Sequence, residues 1–164
     1  MKTLLLAAAV LGATAALAQP APATHTIRVL TPEVAQKAVN AALADCRKRG
    51  FQVAVAVVDR SGVAQAMVRD RFAGAHTPDV AVNKAWTAVS FRTDTTELAK
   101  ATQPGQASSG LRNVPRFTAV GGGVAIQAAG SVIGGIGVSG APSGDADDSC
   151  AKAGIASVQD ELEM

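Results

Sequence analysis

The chain of 164 residues contains no tyrosine, one tryptophan and four phenylalanines. Without aromatic bulk its core must come from small aliphatic side chains. Each of these buries little area, so elements have to approach closely, and association between copies would add to stability. No block of basic residues occurs, and no interleaving of basic with aromatic residues, which argues against nucleic acid or a charged membrane surface as partner. The formal net charge is only +2. The two histidines, His25 and His76, and the lack of a G-x-S-x-G elbow leave a hydrolytic triad without material. No Cys-x-x-Cys pair is present, which argues against a closed zinc site.

One long apolar run is present, at the N-terminus. "MKTLLLAAAVLGATAALAQP" has a positive Lys2, an apolar stretch from Leu4 to Leu17 and small residues at Ala16 and Ala18. This reads as a secretory signal peptide over residues 1–18, cut after Ala18. The run is short for a membrane span, which takes about 20 residues. The reading places the mature protein in the periplasm or outside the cell, with no membrane insertion after cleavage. Residues 19–30 form a loose leader, and residues 31–164 are long enough for one domain. Cys46 and Cys150 would then meet an oxidising compartment, where they either form the one available intramolecular bridge or remain separate buried thiols.

The stretch "LTPEVAQKAVNAALADCRKRG" reads as a helix, with Thr31 as N-cap, Pro32 at N1 and Gly50 as stop. "FQVAVAVVD" and "VAQAMVRD" read as antiparallel strands about the turn "RSG". "TPDVAVNKAWTAVSF" repeats the helix-start logic with Thr77 as cap, and "TDTTELAKA" predicts a second short helix. Residues 102–116 form a long polar connection. Three short strands are expected at Phe117–Val120, Val124–Gln127 and Val132–Ser139, then a helix through "GDADDSCAKAGIASVQDELE". Paired strands with helices at both ends indicate an α+β sheet.

"GIGVSG", Gly135 to Gly140, matches the dinucleotide fingerprint G-x-G-x-x-G. That fingerprint needs a second strand downstream, and the 24 residues left are mostly helix. Asp145, Asp147 and Asp148 at the start of that helix would repel a pyrophosphate. The glycines read instead as positions of close approach, with Gly121 to Gly123 making a bend. The three aspartates lack the spacing of a calcium loop and read as helix capping.

His76, between "RDRFAGA" and a helix start, reads as an exposed or capping imidazole, as an axial ligand for haem iron, or as one metal ligand at an oligomer surface. Arg69 and Arg71 could pair with haem propionates, or form a solvated strand end. Met67 reads as strand packing.

The segments "VAVVDRSG", "NKAWTAVSF", "VGGGVAIQ" and "VIGGIGVSGAP", in that order, resemble the GlcG/HbpS family, also called the haem-degrading-domain family. The resemblance covers about residues 31–160. It implies a profilin-like three-layer α/β/α sandwich with a five-stranded antiparallel sheet, and a homo-oligomer. It implies an exported haem-binding protein in haem or iron handling or sensing, a sink or sensor component and not a catalyst. One alternative is a small-molecule enzyme or accessory protein, linked to glycolate or corrinoid chemistry and without haem, using the Gly-rich strands and the 102–116 loop as a pocket; another is a purely structural oligomer. The resemblance places Asp70, Lys84 and Thr87 near His76, so the cofactor-binding set is His76, Arg69, Arg71 and Lys84, with His76 as the metal ligand. It also implies that the first and last helices pack side by side, which would bring Cys46 and Cys150 into disulfide reach.

Overall fold

The computed structural model describes residues 22–163. The expected signal peptide and its cleavage point therefore lie outside the described residues. Helix α1 (Pro32–Lys48) begins as its sequence dictates: Thr31 Oγ1 accepts from the Val34 N–H at 3.4 Å, with Pro32 in the first turn. Ala35, Ala38, Val39, Ala42, Leu43 and Cys46 form its buried stripe. Strands β1 (Ala54–Asp59) and β2 (Ala64–Arg69) form the expected antiparallel hairpin. Helices α2 (Thr77–Phe91) and α3 (Thr95–Ala101) follow, then a 3₁₀ turn at Ser109–Asn113. Strands β3 (Gly123–Ala128) and β4 (Ser131–Ser139) form a second hairpin, and helices α4 (Gly144–Ala156) and α5 (Gln159–Glu163) close the chain.

Among the described residues the sheet has four antiparallel strands in the order β2-β1-β4-β3, not the five expected. The expected strand at Phe117–Val120 stays outside it. Its Thr118 N–H is given to Thr87 Oγ1 at 3.0 Å, a side chain of α2, in place of a strand partner. The bend at Gly122 (φ +111°) then turns the chain into β3. The single C-terminal helix of the sequence reading is also divided, at Ser157–Val158.

Alternation along β1 sorts the core into two layers. Val53, Val55 and Val57 face α1 and α4, together with Val124, Ile126, Ile136 and Val138. Ala54, Ala56 and Val58 face the other way, against Ala81, Ala85 and Val89 of α2. Helices thus cover both faces. The glycines of β4 explain how α2 lies so close. A Cβ on Gly137 would sit 2.0 Å from the Ala81 carbonyl oxygen, and one on Gly135 would sit 2.8 Å from that of Ala85. "GIGVSG" is a bed for a helix backbone. On the opposite face, Cys46 of α1 and Cys150 of α4 form a disulfide with Cα atoms 5.5 Å apart.

Candidate functional site

Between β2 and α2 the chain turns through residues 70–76, and one buried acid fixes that turn. Asp70 is 2% exposed and accepts from Arg47 Nε at 2.7 Å and Nη2 at 2.8 Å. Its Oδ1 also accepts from the Arg71 N–H at 2.8 Å. These bonds, the Arg47 pair foremost, outweigh the cost of burial and hold the Asp70 carboxyl down at about 2. Arg69 Nη1 donates to the Ala73 carbonyl at 2.7 Å, and Thr77 Oγ1 donates to that of Gly74 at 2.8 Å.

The loop so held delivers His76 to the N-cap position of α2. The sequence reading assigned that cap to Thr77, whose hydroxyl instead points back into the loop. His76 makes no side-chain capping bond and is exposed. Its ring rests on Gly74: a Cβ there would lie 2.7 Å from His76 Cε1 and 2.9 Å from Nδ1. Pro78 carries no N–H, and the Thr77 and Val80 N–H groups go to the carbonyls of Gly74 and His76, at 3.0 and 3.2 Å, not to the imidazole.

His76 stands at the edge of a cleft of about 380 Å³, formed by the start of α2, Val120, and the segment from Ser139 to Gly144. Ligand sites are typically of this size or larger. Val80, Val120, Ala141 and Pro142 give it carbon walls, and Lys84 and Asp147 form its polar floor. Lys84 is 2% exposed and donates to Asp147 Oδ2 at 2.8 Å and to the Val138 carbonyl at 3.0 Å. Asp147 also accepts from the Ala141 N–H at 3.0 Å. Burial pushes the Asp147 carboxyl up; the Lys84 charge and the hydrogen bonds it accepts pull the other way. The pair ties α2, the end of β4 and α4 together beneath the cleft.

Of the residues singled out in the sequence, His76 and Lys84 meet at this cleft. Arg69 and Arg71 do not line it. His25 lies elsewhere, beside Arg28 and Arg60. Met67 is half exposed on the edge strand β2 and is not packed as expected. The aspartates at the start of α4 do not act as a capping set. Ser143 caps that helix through the Ala146 N–H at 3.2 Å, while Asp147 takes Lys84 and Asp148 takes Lys152. Asp147 was missed as part of the site. The available signal was Lys84 itself, a charge on the small apolar face of α2 that required a buried acid.

The chain matches the family model described as haem degrading protein HbpS-like over residues 30–156. It belongs to that family. A crystal structure of a double mutant of HbpS from Streptomyces reticuli matches it with a TM-score of 0.78 at 40% identity, over 88% of this chain and 97% of that one. A crystal structure of a PduOC–haem complex matches with a TM-score of 0.74 at 32% identity, over 79% of this chain and 95% of that one. In Citrobacter freundii, a 15.0 kDa protein from the dhaT–dhaS intergenic region is 36% identical over 119 residues, which is 71% of this chain and 84% of that protein.

Proposed function

We propose that this HbpS-like chain is an exported haem-binding protein, acting in haem or iron handling or sensing, with His76 as its axial ligand. The observation that carries this reading is the His76 imidazole, unused as a helix cap and seated on Gly74 at the edge of a carbon-walled cleft. A haem iron takes its equatorial ligands from the porphyrin and asks the protein for an axial donor, which one imidazole can supply. Carbon walls at Val80, Val120, Ala141 and Pro142 suit a flat apolar macrocycle. When bound, haem would supply an iron centre with an intense visible absorption.

The other residues of the set take supporting parts. Arg71, exposed on the same loop though outside the cleft lining, is the cation for a propionate that projects out of the cleft, whereas Arg69 is engaged by the Ala73 carbonyl. Lys84 acts from beneath, holding the Ser139–Gly144 wall in place through Asp147. Export is supported by the signal-like N-terminus and by a disulfide of the kind that persists in oxidising compartments. Self-association belongs to the same proposal. Val63 and Met67 are exposed on or beside edge strand β2, and Phe72 is 79% exposed. Light scattering giving the mass of a single chain would remove that part.

Titration of the purified protein with haemin tests the reading. Saturable binding with a shifted Soret band is expected; absorbance rising linearly as for free haemin would refute it.

A further inference from the structure

At the opposite end of α2 from His76, a second group of charges stands without partners. The β1–β2 turn brings Arg60, the end of α2 brings Ser90 and Arg92, and the β3–β4 turn brings Ser131 to one cavity of about 350 Å³. An adjoining cavity of about 400 Å³ shares Arg60 and Ser131 and adds Arg28. Among the described residues, no carboxylate lines either hollow. Among the described residues, the guanidinium groups of Arg28, Arg60 and Arg92 form no salt bridge and donate no hydrogen bond. By contrast, Arg47 and Arg49 hold acids, and Arg69, Arg112 and Arg116 hold protein oxygens; Arg71 is also without a side-chain partner among these residues but stands alone on its loop.

Like charges gathered this way repel each other unless an anion joins them. The backbone points in the same direction. Arg92 occupies the left-handed region (φ +51°, ψ +38°) at the end of α2, where glycine or asparagine fits at less cost. The negative end of the α2 dipole opposes an anion here; the Ala88 carbonyl is taken by the Arg92 and Thr93 N–H groups and that of Phe91 by the Thr93 hydroxyl, so the arginine charges have the remaining helix-end carbonyls to overcome. Guanidinium forks with serine hydroxyls beside them are the donor set that phosphate and carboxylate oxygens accept from.

We infer that the Arg28–Arg60–Arg92 cluster binds a small multivalent oxyanion, a phosphate compound or a polycarboxylate, extended enough to span the two hollows. This site is separate from the His76 cleft: the fifteen residues of α2 set the two ends roughly 20 Å apart.

Calorimetric titration with pyrophosphate and with citrate, at matched ionic strength, tests it. Saturable binding of at least one probe is expected. Arg60→Gln and Arg92→Gln, with unchanged circular dichroism, should each weaken it about tenfold or more. Lys48→Gln, an exposed cation at the end of α1, should stay within about twofold of wild type. Binding of pyrophosphate alone assigns the phosphate class, and of citrate alone the carboxylate class. Absence of saturable binding by both probes overturns the inference, as does equal weakening by Lys48→Gln, which would mean general charge attraction only.

Discussion

Asp70 joins the end of β2 to α1 through two hydrogen bonds from Arg47, and the loop that carries His76 starts from it. Its carboxyl sits at about 2, below the ordinary 3.8, so the folded state favours the charged form. The stabilisation is complete above the ordinary value and is lost as pH falls through about 2. Asp70→Asn should therefore cost on the order of 1–2 kcal/mol at pH 7, a modest figure because Arg47 is half exposed. Urea unfolding of both proteins between pH 7 and pH 2 checks this: the gap should narrow towards pH 2, and a gap constant with pH would be contrary. At this scale the sequence was partly readable. His76 and Lys84 stood out by type and position. Asp147 did not, because 63 residues separate it from Lys84 and three neighbouring aspartates looked alike at a helix start. Only the packed fold gives Asp147 to Lys84 and Asp148 to Lys152.

Between elements, the close contact of α2 with β4 depends on missing side chains. Gly137→Ala would push a methyl group to 2.0 Å from the Ala81 carbonyl oxygen. Overpacking against backbone, which cannot rotate away, should cost about 3 kcal/mol or more. Gly110→Ala meets nothing within 4 Å and should change stability by less than about 0.5 kcal/mol. Thermal melts of the two variants compare them directly; equal melting temperatures would contradict this packing. The glycine pattern itself was legible as close approach. The strand expected at Phe117–Val120 was not legible as a loop, because its apolar, β-branched composition matches a strand and only the hydroxyl of Thr87 draws its backbone away.

For the whole molecule, the Cys46–Cys150 bridge encloses a separation of 104 residues, most of the domain. A loop of about this length is expected to stabilise by roughly 4.7 kcal/mol in the chain-entropy model. Reduction should lower the melting temperature by many degrees, and thiol labelling of unfolded, unreduced protein should find no free cysteine. Two reactive thiols per chain would show that the bridge does not form. The helices at both ends and the α+β class were readable from the residue patterns alone, and the meeting of the two cysteines once the family segments were recognised. Strand number was not, since it depends on where one loop's hydrogen bonds go.

The proposed haem capture would also belong to the assembled molecule, since the cleft is made by α2, the end of β4 and the start of α4. The most direct measurement is a haemin titration of His76→Ala beside the wild-type protein, with His25→Ala as control, followed by absorption spectra of the complexes. The account predicts weaker binding, by about tenfold or more, and an altered Soret band for His76→Ala, because the imidazole sets the axial field of the iron. It predicts wild-type behaviour for His25→Ala. A His76→Ala complex with unchanged affinity and spectrum would contradict it.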